Sequence, residues 1–234
     1  MRRKRRYNRH YVHARISERR FVLFVRCFAA DLTARQCAAQ VGMSVPAVND
    51  LYRRLRERIA RDELRAGGAV AALRGTESGS VTQWTAVGVR WIDGRIRATL
   101  LSWSQAYAAR MGGSCIGSPD SLSSCPDAVI DIGLDHHRWL VPPLDEMSGG
   151  DPVLRFRRFA KARLRRFNGV ARHVFGLHLQ ECVFRFNHQG EALEELLLGR
   201  LLAEPLRVGG RSREPPRRRA DGGCDRSEAR PGGR

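Results

Sequence analysis

Residues 33–59 read TARQCAAQVGMSVPAVNDLYRRLRERI, and the fold of the N-terminal part turns on them. Thr33 followed three residues later by Gln36 has the form of a capping box, in which side chains satisfy the free N–H groups at a helix start. The spacing predicts a short helix to about Gln40, a turn at Gly42 and a second helix to about Ile59. Ser44 is placed to cap that helix, and Pro46 sits in its first turn, where a missing N–H is tolerated. Gly42 can take the positive φ of a tight turn, and Ala38 is small where the two helices would cross. Cys37, Val41, Met43, Val48 and Leu51 are the apolar positions that would lock the pair. This is the pattern of a helix-turn-helix.

On that reading the helix from Val45 is the recognition helix. Ser44, Ala47, Asn49 and Asp50 would face base edges; Asn49 suits the paired donor and acceptor of adenine. Arg53, Arg54 and Arg56 would reach phosphates or guanine. A plain helical hairpin would leave the same residues on a solvated face, so composition bears on the choice. The 234-residue chain has 42 Lys and Arg against 24 Asp and Glu, a formal charge of +18. Such a surplus repels itself unless opposed by a polyanion, which makes nucleic acid the expected partner. Nearly every basic residue is Arg, so part of the surplus also fits the codon bias of a GC-rich genome.

Upstream, Phe21, Leu23, Phe24, Val25, Cys27 and Phe28 give a helix with one apolar face, broken at Asp31-Leu32. Residues 1–15 read as a basic arm and 16–66 as the helical DNA-binding unit. Downstream, 67–204 opens with a hairpin. Val81 to Ile92 and Ile96 to Leu101 flank Asp93-Gly94, which suits a type I′ turn. A short strand is expected at 128–132, a very basic helix at 152–167 and helix at 173–202 interrupted near Gly190. Arg155, Arg157, Arg158, Arg163, Arg165 and Arg166 crowd the basic helix; such a run is commonly solvated, and beside a DNA-processing site would grip the backbone. Hairpin first and helices after predict an α/β domain.

From Pro205 onward Arg, Gly, Pro and Ser dominate, and 205–234 reads as a disordered tail. The six cysteines form no Cys-x-x-Cys pair and read as free thiols in a reducing cytosol. No apolar run is long enough for a membrane span. The expected location is the cytoplasm, with the DNA.

Several further stretches, in order, carry a resemblance. They are RISERRF at 15–21, DSLSS at 120–124, HHR at 136–138, FAK at 159–161, RFNGV at 166–170 and LHLQECVFRFNH at 177–188. With the helix-turn-helix, they make the chain resemble the short insertion-sequence transposases of the ISXO-like group over about 5–205. The resemblance implies an RNase H-like catalytic domain with a mixed sheet and flanking helices, complete or in part. It implies a DDE-type enzyme binding double-stranded DNA, transposon ends and target, as a homo-oligomer. Three acidic side chains in that family hold two Mg²⁺ or Mn²⁺ ions, which cleave and join DNA by in-line displacement.

Carried over residue by residue, that site is incomplete. The second family aspartate falls on Asp120, the expected metal ligand. The first falls on Thr76, with Glu77 one residue off. The third should stand seven residues before Lys161, where this chain has Leu154; Asp151 is the nearest substitute, although Pro152 argues against helix there. Two of three acids are replaced, so the expectation is a catalytically impaired copy. The alternatives are a DNA-binding remnant without chemistry, or a regulator whose 67–204 region binds a ligand in an apolar pocket.

Overall fold

The computed structural model describes residues 8–66, 86–101, 126–132, 137–140, 150–166 and 172–207. Thr76, Glu77 and Asp120 lie outside the described residues, as do 1–7 of the basic arm and the tail from 208.

Three helices open the structure: α1 (Glu18–Ala29), α2 (Ala34–Val41) and α3 (Val45–Ala66). Each break has a local cause. Asp31 takes a left-handed φ of 56° after α1, and Gly42 a φ of 67° after α2. The third helix continues one to two turns beyond Ile59, because Ile59 and Ala60 are buried and hold it against later elements.

The sheet comprises β2 (Ala86–Ile92), β3 (Arg95–Leu100), β4 (Ala128–Ile132) and β5 (His137–Leu140), in the order β3-β2-β4-β5. Every neighbour is antiparallel. The β2–β3 hairpin closes through Asp93 and Gly94 at φ 51° and 74°, the paired positive values that a type I′ turn demands. Val87, Val89, Ile96, Ala98 and Ile130 face the helices. Gly88 faces the other side, where a Cβ would meet Leu101 Cδ2 at 2.8 Å and Pro126 Cβ at 3.0 Å. The chain is therefore mixed α/β and helix-rich. The expected mixed sheet divides, among the described residues, into this antiparallel sheet and a separate parallel pair. That pair is β1 (Tyr11–Val12) with β6 (Leu206–Arg207).

Three further helices follow: α4 (Pro152–Arg165), α5 (Arg172–Asn187) and α6 (Leu193–Ala203). Asp151 caps α4, its Oδ1 accepting from Val153 N at 2.7 Å and Leu154 N at 2.9 Å. Pro152 begins this helix instead of preventing it, a first-turn position that requires no N–H donor. The α4–α5 pair covers one face of the sheet through Phe156, Ala160, Phe175, Leu179, Cys182 and Val183. On its other side α5 sends Phe184 into a second core, formed by α1, α2, α3 and α6. A helix apolar around much of its circumference belongs between two layers, and α5 lies there.

The expected boundaries at 15, 66 and 205 do not separate cores. Asn8, His10 and Tyr11 of the arm are buried, Leu206 is buried beside them, and Leu197 and Leu201 complete the core of α1–α3.

Asn187 ends α5 against the side of β3 that pairs with no strand among the described residues. Its Nδ2 donates to Ile96 O at 2.9 Å and its Oδ1 accepts from Ile96 N at 2.8 Å, as a neighbouring strand would. Gln180 adds a bond to Ala98 O at 2.9 Å. Open edges are templates for unwanted strand pairing, and this side chain occupies one. Asn187→Ala is expected to lose about 1–3 kcal/mol in urea denaturation, because two backbone groups lose their partners. A loss below about 0.5 kcal/mol would mean that water replaces the amide at no penalty.

Candidate nucleic-acid interface

The surface made by α2, Gly42 and α3 is built from local bonds. Thr33 Oγ1 accepts from Gln36 N at 3.3 Å and Gln36 Oε1 accepts from Thr33 N at 2.9 Å, so the capping box is reciprocal. Gly42 N donates to Ala38 O at 2.9 Å. Ser44 Oγ accepts from Ala47 N at 3.4 Å and caps α3. Behind them Cys37, Ala38, Val41, Val48, Leu51 and Leu55 are buried, and the Tyr52 hydroxyl donates to Leu32 O at 2.9 Å.

What this core leaves outside is the start of α3. Ser44, Val45, Pro46 and Asn49 are exposed, and Ala47 is half-buried. Asn49 has no side-chain hydrogen bond among the described residues, which leaves its amide available to a ligand. Asp50 is engaged: it accepts from Arg53 Nη2 at 2.8 Å and Arg54 Nε at 2.7 Å. Partial burial opposes its ionisation, but Arg54 and Arg53 hold its carboxyl below the usual range. Arg53 also bonds Glu57 and remains half-exposed on the same side. Asp50 therefore orients two of the arginines expected to meet DNA.

Arg56 departs from that expectation. It points inward, where Nε donates to Glu181 Oε2 at 2.7 Å, and its side chain is 12% exposed. Glu181, in the middle of α5, is 0% exposed. Its Oε1 accepts from Arg163 Nη2 of α4 at 2.6 Å and from Arg185 Nε at 2.9 Å. Arg163 Nη2 also reaches Asp31 Oδ1 at 2.6 Å, and Arg166 Nη1 reaches Asp31 Oδ2 at 2.7 Å. Arg185 donates to the last carbonyls of α1, Phe28 O and Ala29 O. Burial alone would raise the Glu181 carboxyl; Arg163, Arg56 and Arg185 outweigh it and hold it down at about 2. Burial, with Arg56 beside it, keeps His178 neutral down to about 4. Burial likewise pushes the Cys182 thiol up to about 11, the behaviour of a core cysteine and not a nucleophile.

The family-derived catalytic positions within the described residues do not assemble a metal site. Leu154 is 5% exposed and packed in the core. Lys161 stands on the exposed side of α4, and Asp151 is occupied as that helix's cap. No group of three or more His, Cys, Asp or Glu able to hold a metal occurs among the described residues. The described residues by themselves therefore supply no two-ion centre. None of the described helices is long and apolar enough to cross a membrane. Comparison with protein-family models, with curated proteins and with solved structures finds no match.

Proposed function

We propose that the chain binds double-stranded DNA with α2 and α3 as a helix-turn-helix. Its nearest chemistry is that of a DDE-class insertion-sequence transposase, in a copy whose catalytic site is impaired. The observation that carries the first part is the exposed start of α3, with an Asn49 amide that has no hydrogen bond among the described residues and Arg53 held by Asp50 on a chain of charge +18. Ala47, Asn49, Arg53 and Arg54 are the residues offered to DNA, and Ser44 caps the helix that carries them. Arg56 holds the helix in place from inside. The second part rests on the resemblance and on Leu154, an apolar core residue where a ligand carboxylate is required. Binding as a homo-oligomer at paired DNA ends belongs to the same reading.

A small-molecule regulator fits less well. The cleft between the α1–α2 turn, α4 and the end of α5, about 400 Å³, is lined by Phe159, Ala162 and Leu193 beside Asp31, Arg163, Arg166 and Arg185, and its three arginines already pair with Asp31 instead of awaiting an effector.

Selection from a randomised duplex pool with the purified full chain tests the reading. A defined sequence should emerge, bound with an affinity that falls steeply with salt. Asn49→Ala should weaken discrimination at one adenine position by about 1–3 kcal/mol and leave the melting temperature unchanged. Recovery of no preferred sequence would refute the helix-turn-helix assignment. Incubation of the selected duplex with Mg²⁺ or Mn²⁺ should produce no strand cleavage. Cleavage that Asp120→Ala abolishes would establish a working site instead.

A further inference from the structure

The four exposed cations of α4 lie on one side of the helix. Arg155, Arg158, Lys161 and Arg165 are exposed, while Val153, Phe156, Ala160 and Arg163 face the interior. At 3.6 residues per turn the four fall within an arc of roughly 120°.

None of them is ion-paired among the described residues. Some exposed arginines elsewhere meet acids, as Arg9 meets Glu18 and Arg26 meets Glu194, and others such as Arg19 and Arg35 do not; α4 differs in aligning four such cations on one side of a single helix. Helix stability favours Arg165 in the last turn but does not account for the whole stripe. A helix dipole favours cations near the C-terminus and disfavours them near the N-terminus, yet Arg155 stands in the first turn, which holds no acid. The positive charge is felt locally. Partial burial, with Arg157 and Arg165 nearby, lowers the affinity of Lys161 for its proton.

We propose that this exposed face of α4 is a second duplex-DNA contact, one that grips the phosphate backbone and reads no sequence. The inference rests on the DNA-binding reading and adds a surface to it. The ten helical steps from Arg155 to Arg165 span about 15 Å. With a phosphate about every 3.4 Å along each strand, that length faces about four phosphates of one strand. The stripe is also held rigidly relative to α3. Arg163 on the inner face of α4 and Arg56 on α3 bond the two oxygens of the same Glu181 carboxylate.

The test compares the full chain with the Arg158→Gln, Lys161→Gln, Arg165→Gln triple variant, on a random-sequence duplex and on the duplex selected by the parent. Each lost phosphate contact should make the plot of log affinity against log salt shallower by about 0.9, so about 2.7 for three. At 0.15 M salt the affinity for both duplexes should fall by roughly a hundredfold, with their ratio unchanged. An unchanged slope and affinity overturn the proposal and leave the α3 reading standing; absence of DNA binding by the parent overturns both. The parent alone gives a second readout, because Lys4 and Lys161 are its only lysines. Acetylation of Lys161 should slow several-fold when random duplex is bound, and equal labelling with and without duplex would overturn the proposal even if the variant fails to fold.

Discussion

Glu181→Ala is expected to destabilise the protein by about 3–5 kcal/mol, because it leaves buried guanidinium groups without their shared carboxylate. Arg163 and Arg185 are 5% and 7% exposed, so water cannot readily replace the lost partner. Asp31 remains for Arg163 and Arg166. Denaturant unfolding of the parent and the variant measures the effect directly. The same group sets an acid limit. Its folded value, about 2, lies below the ordinary glutamate value of 4.5, so its stabilisation is complete above pH 4.5 and is lost as pH falls towards 2. The parent should lose stability across that window, and the variant should lack that component. A variant as stable as the parent would mean that the arginines are hydrated in solution and the cluster is open. Replacing Glu181 and its arginines together with apolar residues of similar volume should recover most of the loss, as charge removed as a set leaves no orphan behind.

Phe28→Ala is expected to lose a comparable 3–5 kcal/mol. The ring is 2% exposed at the end of α1. Tyr52 of α3 meets it edge-on at 5.2 Å between ring centres, and Arg185 of α5 lies over its face at 5.0 Å. The side chain thus joins three helices, and its removal leaves a cavity beside a cation that loses its aromatic face. Phe28→Leu, which keeps most of the volume, should lose much less. Hydrogen exchange should show the last turn of α1 opening first in the alanine variant. A loss below about 1 kcal/mol would indicate that α1 collapses onto α5 without it.

Features fixed by neighbouring residues were readable from the chain. The capping box at Thr33, the left-handed Gly42 and the Asp93-Gly94 hairpin each depend on residues within a few positions, and each stands where the spacing placed it. Features made across the sequence were not. Arg56 reads as one more cation in an Arg-rich run, yet it follows Tyr52 by four residues and so borders the buried stripe of Val48, Tyr52, Leu55 and Ile59. That adjacency was the available signal. Glu181, an acid inside the largely apolar run from Phe175 to Phe186, was another: a buried carboxylate needs partners. Which arginines would answer it, 18 and 125 residues away, no local pattern states. Asp31 showed itself only as a helix breaker, and Asn187 only as part of a resembling stretch. Its pairing with β3 becomes visible once the sheet has an edge.

The pairing of Tyr11 with Leu206 has a consequence for synthesis on the ribosome. The first three helices emerge early, but the core they enclose also needs Phe184, Leu197, Leu201 and Leu206. Until residue 206 has left the exit tunnel, the apolar faces of α1 and α3 have no final cover. Completion of the N-terminal core therefore waits for later segments, and a nascent or prematurely terminated chain would leave part of those faces open to chaperones and proteases.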